Sequence, residues 1–360
     1  MGVAEKSFRI GCGRYLQEPH LIKKCGAEIS RFSNKVLVVG GKTALSITKA
    51  KIQESLSNAK LKYEIIEHIG SCNKEDAEII AEKAKKEGFG VIVGVGGGVI
   101  MDFAKLIANI AKLPIVNIPT STATCAAYTP LSVCYTRDGR TTGTVHFEKE
   151  VDSVLVDTAI ITAQPTRLFL SGVFDALAKF VEIKQRIATV KGSLGLDWAY
   201  IMAESSFNKL MANVNGVLED MKQNNISEII EQTTFITVAI TGVISGIARG
   251  SNQCALAHKF YETARKLYNK ECRNYLHGEM VGVGLLLQNH FNGEQDQNQE
   301  LLSLMKENNM PYNVEGIGVA ATKQTMKEFY DAICGSSAID KNNLEQCEKF
   351  KISLEYFWAL

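Results

Sequence analysis

The sequence predicts an α/β half built on an open, mostly parallel sheet, followed by an all-helical half. Two observations carry this. Short β-branched runs alternate with helical periodicity as far as about residue 162, and no convincing strand pattern follows. Glycines directly follow two of those runs, in KVLVVGGK (35–42) and VIVGVGGG (91–98). In open parallel sheets the strand-to-helix turns lie where ligands gather.

Taken in order, residues 7–18 hold a short apolar run with the Gly11 and Gly13 turn, and residues 21–29 read as a helix. Residues 36–39 form a buried strand, 44–56 a helix, 63–66 a strand and 75–87 an amphipathic helix. The strand 91–95 and the helix after it, with Met101, Ala104, Leu106 and Ala108 at helical spacing, continue the alternation, and 115–118 adds another strand. This β-α-β-α-β order calls for parallel strands with helices on both faces. Residues 131–135 and 142–145 suggest a hairpin around Arg137-Asp138-Gly139-Arg140, and 153–156 one further strand. Beyond residue 162 come helices at 165–170, 175–187, 196–212, 226–246, 255–268 and 278–288. The expected domains are therefore 1–162, binding a dinucleotide, and 163–360, binding metal and substrate.

Gly96, Gly97 and Gly98 remove every Cβ at the end of a buried strand, so the backbone can turn sharply and a bulky ligand can approach it. The helix that follows directs free N–H groups and a positive dipole end at the same point, an arrangement suited to a pyrophosphate. A plain tight loop is the competing reading. The run Thr120-Ser121-Thr122-Ala123-Thr124 after the next strand offers hydroxyls beside that turn; alternatively it is an ordinary polar loop with a helix cap.

Charge and cysteine content narrow the partners. With 40 basic and 39 acidic residues the chain has no electrostatic footprint for nucleic acid or a membrane surface, which points to small molecules and to copies of itself. Nine cysteines without a CxxC pair argue for free thiols in a reducing cytoplasm. The N-terminal MGVAEKSFRIGCG lacks the long apolar core of a leader, and no run approaches the length of a membrane span. A cytoplasmic protein is expected.

In the helical half three residues stand out. Asp175 lies in GVFDALAK, His258 in NQCALAHKF, and His277 in YLHGE just before a long apolar helix. A carboxylate and two imidazoles from separate helices can share one divalent cation and leave a position open for substrate. Each also has a plainer account: Asp175 as a helix cap, His258 as a hydrogen-bonded core histidine, His277 as a capping residue.

The run Gly96-Gly97-Gly98-Val99-Ile100-Met101-Asp102-Phe103-Ala104-Lys105 resembles the GGGxxxDxAK signature of the iron-containing alcohol dehydrogenase superfamily. Pro119-Thr120-Ser121, with Leu131 to Tyr135 and the Asp138-Gly139 turn, is similar to the loop and hairpin of its glycerol dehydrogenases. The resemblance runs from about residue 8 to 320. It implies a Rossmann-like sheet domain joined to a helical domain, the dehydroquinate-synthase-like architecture. It also implies reversible hydride transfer between NAD or NADP and a small alcohol or polyol, by an enzyme expected to be a homo-oligomer. Carried over, the metal ligands and catalytic centre are Asp175, His258 and His277. The cofactor contacts are Gly96, Gly97, Gly98, Val99 and Asp102, then Thr120 and Ala123, and Thr129, Leu131 and Tyr135 near the nicotinamide. The iron-dependent branch has a further histidine one helical turn after its aspartate; Lys179 stands there, which favours zinc over iron. Two departures bear on specificity. Cys125 occupies the substrate-pocket position of the polyol-binding aspartate, and Gly41 that of the acid that accepts the adenosine ribose, so NADP is as open as NAD. Sugar-phosphate cyclases of the dehydroquinate synthase type share this architecture and form the competing class. They need basic residues for a substrate phosphate, for which Lys179, Arg249 and Lys259 are the candidates.

Overall fold

The β-branched runs pair as one parallel sheet with one more strand than the apolar pattern announces. The computed structural model describes residues 8–190, 193–248 and 253–360. Along the chain come β1 (Tyr15–Glu18), α1 (Cys25–Ile29), β2 (Lys35–Gly41), α2 (Lys42–Asn58), β3 (Lys62–His68), α3 (Lys74–Lys86), β4 (Val91–Gly96) and α4 (Gly98–Ala111). They are followed by β5 (Ile115–Pro119), β6 (Leu131–Tyr135), β7 (Thr141–His146) and β8 (Ser153–Asp157). Six strands form a sheet in the order β1-β8-β5-β4-β2-β3, with every pairing parallel. Strands β6 and β7 form the separate antiparallel hairpin. The unannounced strand, β1, reads YLQE and is half-buried throughout, so it lacks the continuous apolar run of an interior strand.

Alternate residues of the central strands face opposite sides. Val36 and Val38 pack with Ile29 of α1 and Ile52 and Leu56 of α2, whereas Leu37 and Val39 pack with Ala77 and Ala81 of α3 and Met101 and Phe103 of α4. The strand order reverses between β2 and β4, where Gly40 pairs with Val95 and, one strand further, Gly96 with Pro119. Both glycine-rich strand ends therefore flank the switch point of the sheet, the usual ligand position in such folds.

The remaining helices are α5 (Thr158–Thr162), α6 (Thr166–Thr189), α7 (Leu194–Gln223), α8 (Glu228–Phe235), α9 (Thr241–Ile247), α10 (Leu256–Leu267), α11 (Asn269–Cys272), α12 (His277–Asn292), α13 (Gln295–Glu307), α14 (Lys323–Ile333) and α15 (Leu344–Trp358). The stretches 165–170 and 175–187, separate helices on the sequence pattern, are the single helix α6. Ser171-Gly172 is poor helix sequence, but Ser171, Val173 and Phe174 are fully buried, and packing outweighs propensity there. The described residues fall into two compact units. One is built mainly from Leu170–Met211 and Ile244–Leu360; the other, Arg9–Phe169 with Ala212–Val243, contains the sheet. The stretch Glu228–Ile247 is long and apolar enough to cross a membrane by composition. Its Ile230, Ile236, Val238 and Ile244 are buried in the protein, as in a core helix.

Candidate functional site

Asp175, Lys179 and Glu182 stand at i, i+4 and i+7 of α6, on one face of the helix, and all three are buried. Buried charges require partners. Asp175 Oδ1 lies 3.5 Å from His258 Nε2 on α10 and 3.4 Å from His277 Nε2 on α12. One ligand atom from each of these three residues falls within 4.8 Å of the other two. A tetrahedral ion with bonds of about 2.0–2.2 Å keeps its ligands about 3.3–3.6 Å apart, so this donor set has the span to hold one.

Glu182 supplies the outer support. Its Oε2 accepts from His258 Nδ1 at 2.5 Å, and its Oε1 accepts the backbone N–H groups of Ala255 and His258, both at 2.8 Å. With Nδ1 tied to a carboxylate, Nε2 is the nitrogen left to a metal. Glu182, Cys254 and His258 form a second close group, but Glu182 already accepts three hydrogen bonds and serves as the orienting partner. Lys179 Nζ lies 3.2 Å from Asp175 Oδ1 and 3.3 Å from His258 Nε2.

These contacts set the protonation states. Burial alone would raise the carboxyl of Asp175, but the Lys179 ammonium and the two imidazoles pull it well below the usual range. Burial alone would lower His258; the Glu182 carboxylate overrides it and lifts the imidazole to about 10. Glu182 is correspondingly lowered against its own burial by His258.

The plainer accounts of the three residues separate here. Asp175 sits inside α6, not at its start, so it is no cap. His258 is a hydrogen-bonded core histidine through Nδ1 and still turns Nε2 toward Asp175. His277 is the first residue of α12, but the capping side chain is that of Glu279, which accepts the Leu276 N–H at 2.8 Å. The His277 ring rests edge-on against Tyr261, with centroids 4.4 Å apart.

Three glycines on α12 bring these helices together. A Cβ at Gly278 would overlap Ser171 O of α6, one at Gly282 would lie 2.9 Å from the Phe174 ring of α6, and one at Gly284 would lie 2.6 Å from Ala257 O of α10. Each interior glycine costs the helix up to about 1 kcal/mol in propensity, and the return is backbone contact with the helices that carry Asp175 and His258.

In the sheet unit, Gly97 precedes α4 and its carbonyl accepts the N–H groups of Ile100 and Met101, each at 3.0 Å. Thr120 N donates to Gly96 O at 3.0 Å, which ties the polar loop to the glycine turn. A Cβ at Gly97 would touch only Ser121 Oγ, at 3.4 Å, and one at Gly98 would come 3.0 Å from Thr124 Oγ1. Val99 is exposed at the start of the helix. Thr120, Ala123, Leu131 and Tyr135 are half-buried around this region, and Thr129 is buried. Half-buried Cys125 opens a turn in which its carbonyl accepts Tyr128 N at 2.9 Å.

Asp102 points inward. Its carboxylate pairs with Lys105 at 3.0 Å and accepts Val133 N at 3.1 Å, and the Asp102 carbonyl accepts Ser132 Oγ at 2.7 Å. The ammonium of Lys105 donates to Ala126 O at 2.6 Å, to Thr129 O at 2.8 Å and to Leu131 O. One turn of α4 thereby holds the loop from 126 to 133 in place. Gln164 grips the same loop further back, accepting Thr122 N at 2.9 Å and donating to Thr122 Oγ1 at 3.1 Å.

Residues 12–158 match the family model described as iron-containing alcohol dehydrogenase. A glycerol dehydrogenase of Thermotoga maritima is 29% identical over 97% of this chain and 94% of its own, and one from Pseudomonas putida is 27% identical over 85% and 84%. The chain belongs to the iron-containing alcohol dehydrogenase family. The family fold is also that of the crystal structure of glycerol dehydrogenase from Schizosaccharomyces pombe, with a TM-score of 0.84 at 22% identity over 99% of this chain and 92% of that one. Membership makes the protein a metal-dependent oxidoreductase of the alcohol dehydrogenase type.

Several residues of this family member escaped the sequence reading. Glu182 was legible only as a third charge on the face of α6 that carries Asp175. Lys105 stood inside the signature without a role, and Gln164 gave no signal. The α12 glycines, in HGEMVGVG, were readable as a close-packing stripe. Of the basic residues weighed for a substrate phosphate, Lys179 reaches the cluster, Lys259 pairs with Glu262 at 2.5 Å, and Arg249 lies outside the described residues.

Proposed function

We propose that this protein transfers hydride reversibly between a nicotinamide dinucleotide and the carbon of a small alcohol or polyol, with a divalent metal held by Asp175, His258 and His277. The observation that carries the reading is the spacing of those three donors, 3.4 and 3.5 Å from Asp175 Oδ1, with His258 locked by Glu182. A divalent ion there would supply a Lewis acid for the substrate oxygen. Asp175 contributes the charge that retains it, and Glu182 keeps Nε2 of His258 the coordinating nitrogen. Three protein ligands with Lys179 in place of a fourth imidazole favour zinc over iron.

The glycine turn is the proposed pyrophosphate seat, with the N–H groups at Gly97, Gly98 and Val99 as donors at the start of α4. Thr120 and Ala123 would flank the dinucleotide, and Thr129, Leu131 and Tyr135 its nicotinamide end. Asp102 and Lys105 act through that loop, as positioning residues. Gly41 has no carboxylate to repel a 2′-phosphate, and a Cβ there would press on Ile100 Cγ1 at 3.2 Å, so NADP is accepted as well as NAD. Cys125 offers a polyol hydroxyl only a weak partner, which argues against glycerol as the preferred substrate. A cytoplasmic homo-oligomer completes the reading.

The test is a panel of diols, hydroxy acids, aldehydes and ketones followed by nicotinamide absorbance with both coenzymes, before and after exhaustive chelation. Turnover that disappears on chelation and returns with zinc supports the proposal; turnover that survives complete metal removal defeats it.

A further inference from the structure

The cluster carries a charge that a metal-dependent alcohol dehydrogenase does not need. Lys179 is 4% exposed, yet its ammonium stands 3.2 and 3.3 Å from two of the three donor atoms, spacings like those between the donors themselves. It therefore shares the rim of the coordination sphere. Resting on the function proposed above, the charges of the loaded site can be counted. A ligating His258 or His277 must be neutral. Asp175 and Glu182 contribute two negative charges, a divalent ion two positive, and Lys179 one more positive, which leaves one positive charge in excess. The nearest charges beyond do not cancel it: Glu262 pairs with Lys259, and Arg265, which donates to the carbonyls of Cys272 and Tyr275, adds to the positive side. A neutral diol leaves this buried excess in place. A substrate with a carboxylate next to its hydroxyl removes it, and an ammonium at ligand spacing stands where the group adjacent to the reacting oxygen must lie.

We propose that Lys179 is the second cation of this site and selects 2-hydroxy carboxylates, or 2-oxo carboxylates in the reverse direction, over neutral alcohols. In the forward step the C2–H bond breaks with its electron pair, the hydride reduces the oxidised nicotinamide, the hydroxyl proton passes to solvent, and the C2–O bond becomes a carbonyl. The same ammonium opposes the metal as a like charge.

Two readouts test this. In zinc titrations of the metal-free protein against a chromogenic chelator, Lys179→Met and Lys179→Gln are expected to bind zinc at least tenfold more tightly than the wild type. Equal or weaker binding in both would make Lys179 a bystander or a ligand and overturn the proposal. With the zinc-loaded enzyme, lactate is expected to exceed propane-1,2-diol in kcat/KM by about 100-fold. Lys179→Met should cut that ratio at least tenfold, mainly through KM, and Lys179→Arg should preserve it; a ratio untouched by Lys179→Met overturns the proposal. Failure to oxidise any alcohol would defeat the dehydrogenase reading, while the zinc titration would still decide whether Lys179 acts as a cation against the metal.

Discussion

The glycine turn and the carboxylate–imidazole cluster place ligand chemistry by opposite means. The turn is made by neighbours in the chain: strand, three glycines and helix follow one another from Val91 to Lys105, and backbone N–H groups would make the contacts. The cluster is made by Asp175, His258 and His277 on α6, α10 and α12, and depends on how closely those helices pack. The first is robust to side-chain changes but sensitive to a single Cβ that meets the ligand. The second is sensitive to every residue that sets the distance between helices.

The strongest test of this contrast is removal of a donor. Asp175→Ala or His258→Ala should lower zinc affinity well beyond the roughly 10–100-fold typical of an outer partner, while dinucleotide binding by fluorescence stays within a factor of about two. Comparable losses of both would show that the two sites are not separate. Glu182→Gln, which leaves all three donors in place, is expected to cost about 10–100-fold in zinc affinity. Unchanged zinc binding would mean that the contact with His258 Nδ1 orients nothing.

The same substitution in the two regions should have opposite results. At Gly284 a methyl group would meet Ala257 O at 2.6 Å, so Gly284→Ala should destabilise the protein by about 1–3 kcal/mol in urea melts and weaken zinc binding with it. Gly97→Ala meets only Ser121 Oγ at 3.4 Å and should leave stability within about 0.5 kcal/mol. Its coenzyme affinity should nevertheless fall about tenfold or more. Retained affinity would reduce the glycine turn to a tight loop.

The smallest effect concerns pH. His258 in the metal-free protein is lifted to about 10 from an ordinary 6.5. A raised pKa contributes stability that is fully present below 6.5 and is lost as pH climbs through about 10. Zinc must displace that proton, so its apparent affinity should rise up to about tenfold per pH unit between those limits, and the Tm of the metal-free protein should decline over the same window. Zinc affinity independent of pH in that range would show that the imidazole is already neutral.

Legibility followed the same division. The interior strands were readable because burial on both faces demands continuous Val and Ile, and β1 was not, because an edge strand tolerates YLQE. The break expected between residues 170 and 175 reflected the low helix propensity of Ser171-Gly172, which burial overrides. Lys179 beside Asp175 could be read from i+4 spacing within one helix. Its approach to His258 could not, since that requires α10 to be docked.

The sequence alone determined which segments become strands, where glycine permits a ligand to reach the backbone, and which three side chains have the chemistry to share an ion. Those properties reside in the order and size of consecutive residues. Only the tertiary structure decided that Asp175 lies mid-helix, that Glu182 takes the far nitrogen of His258, that Asp102 and Lys105 turn inward to hold a loop, and that an ammonium borders the donors. Each of those contacts joins groups whose separation along the chain carries no distance information until the helices and loops have packed.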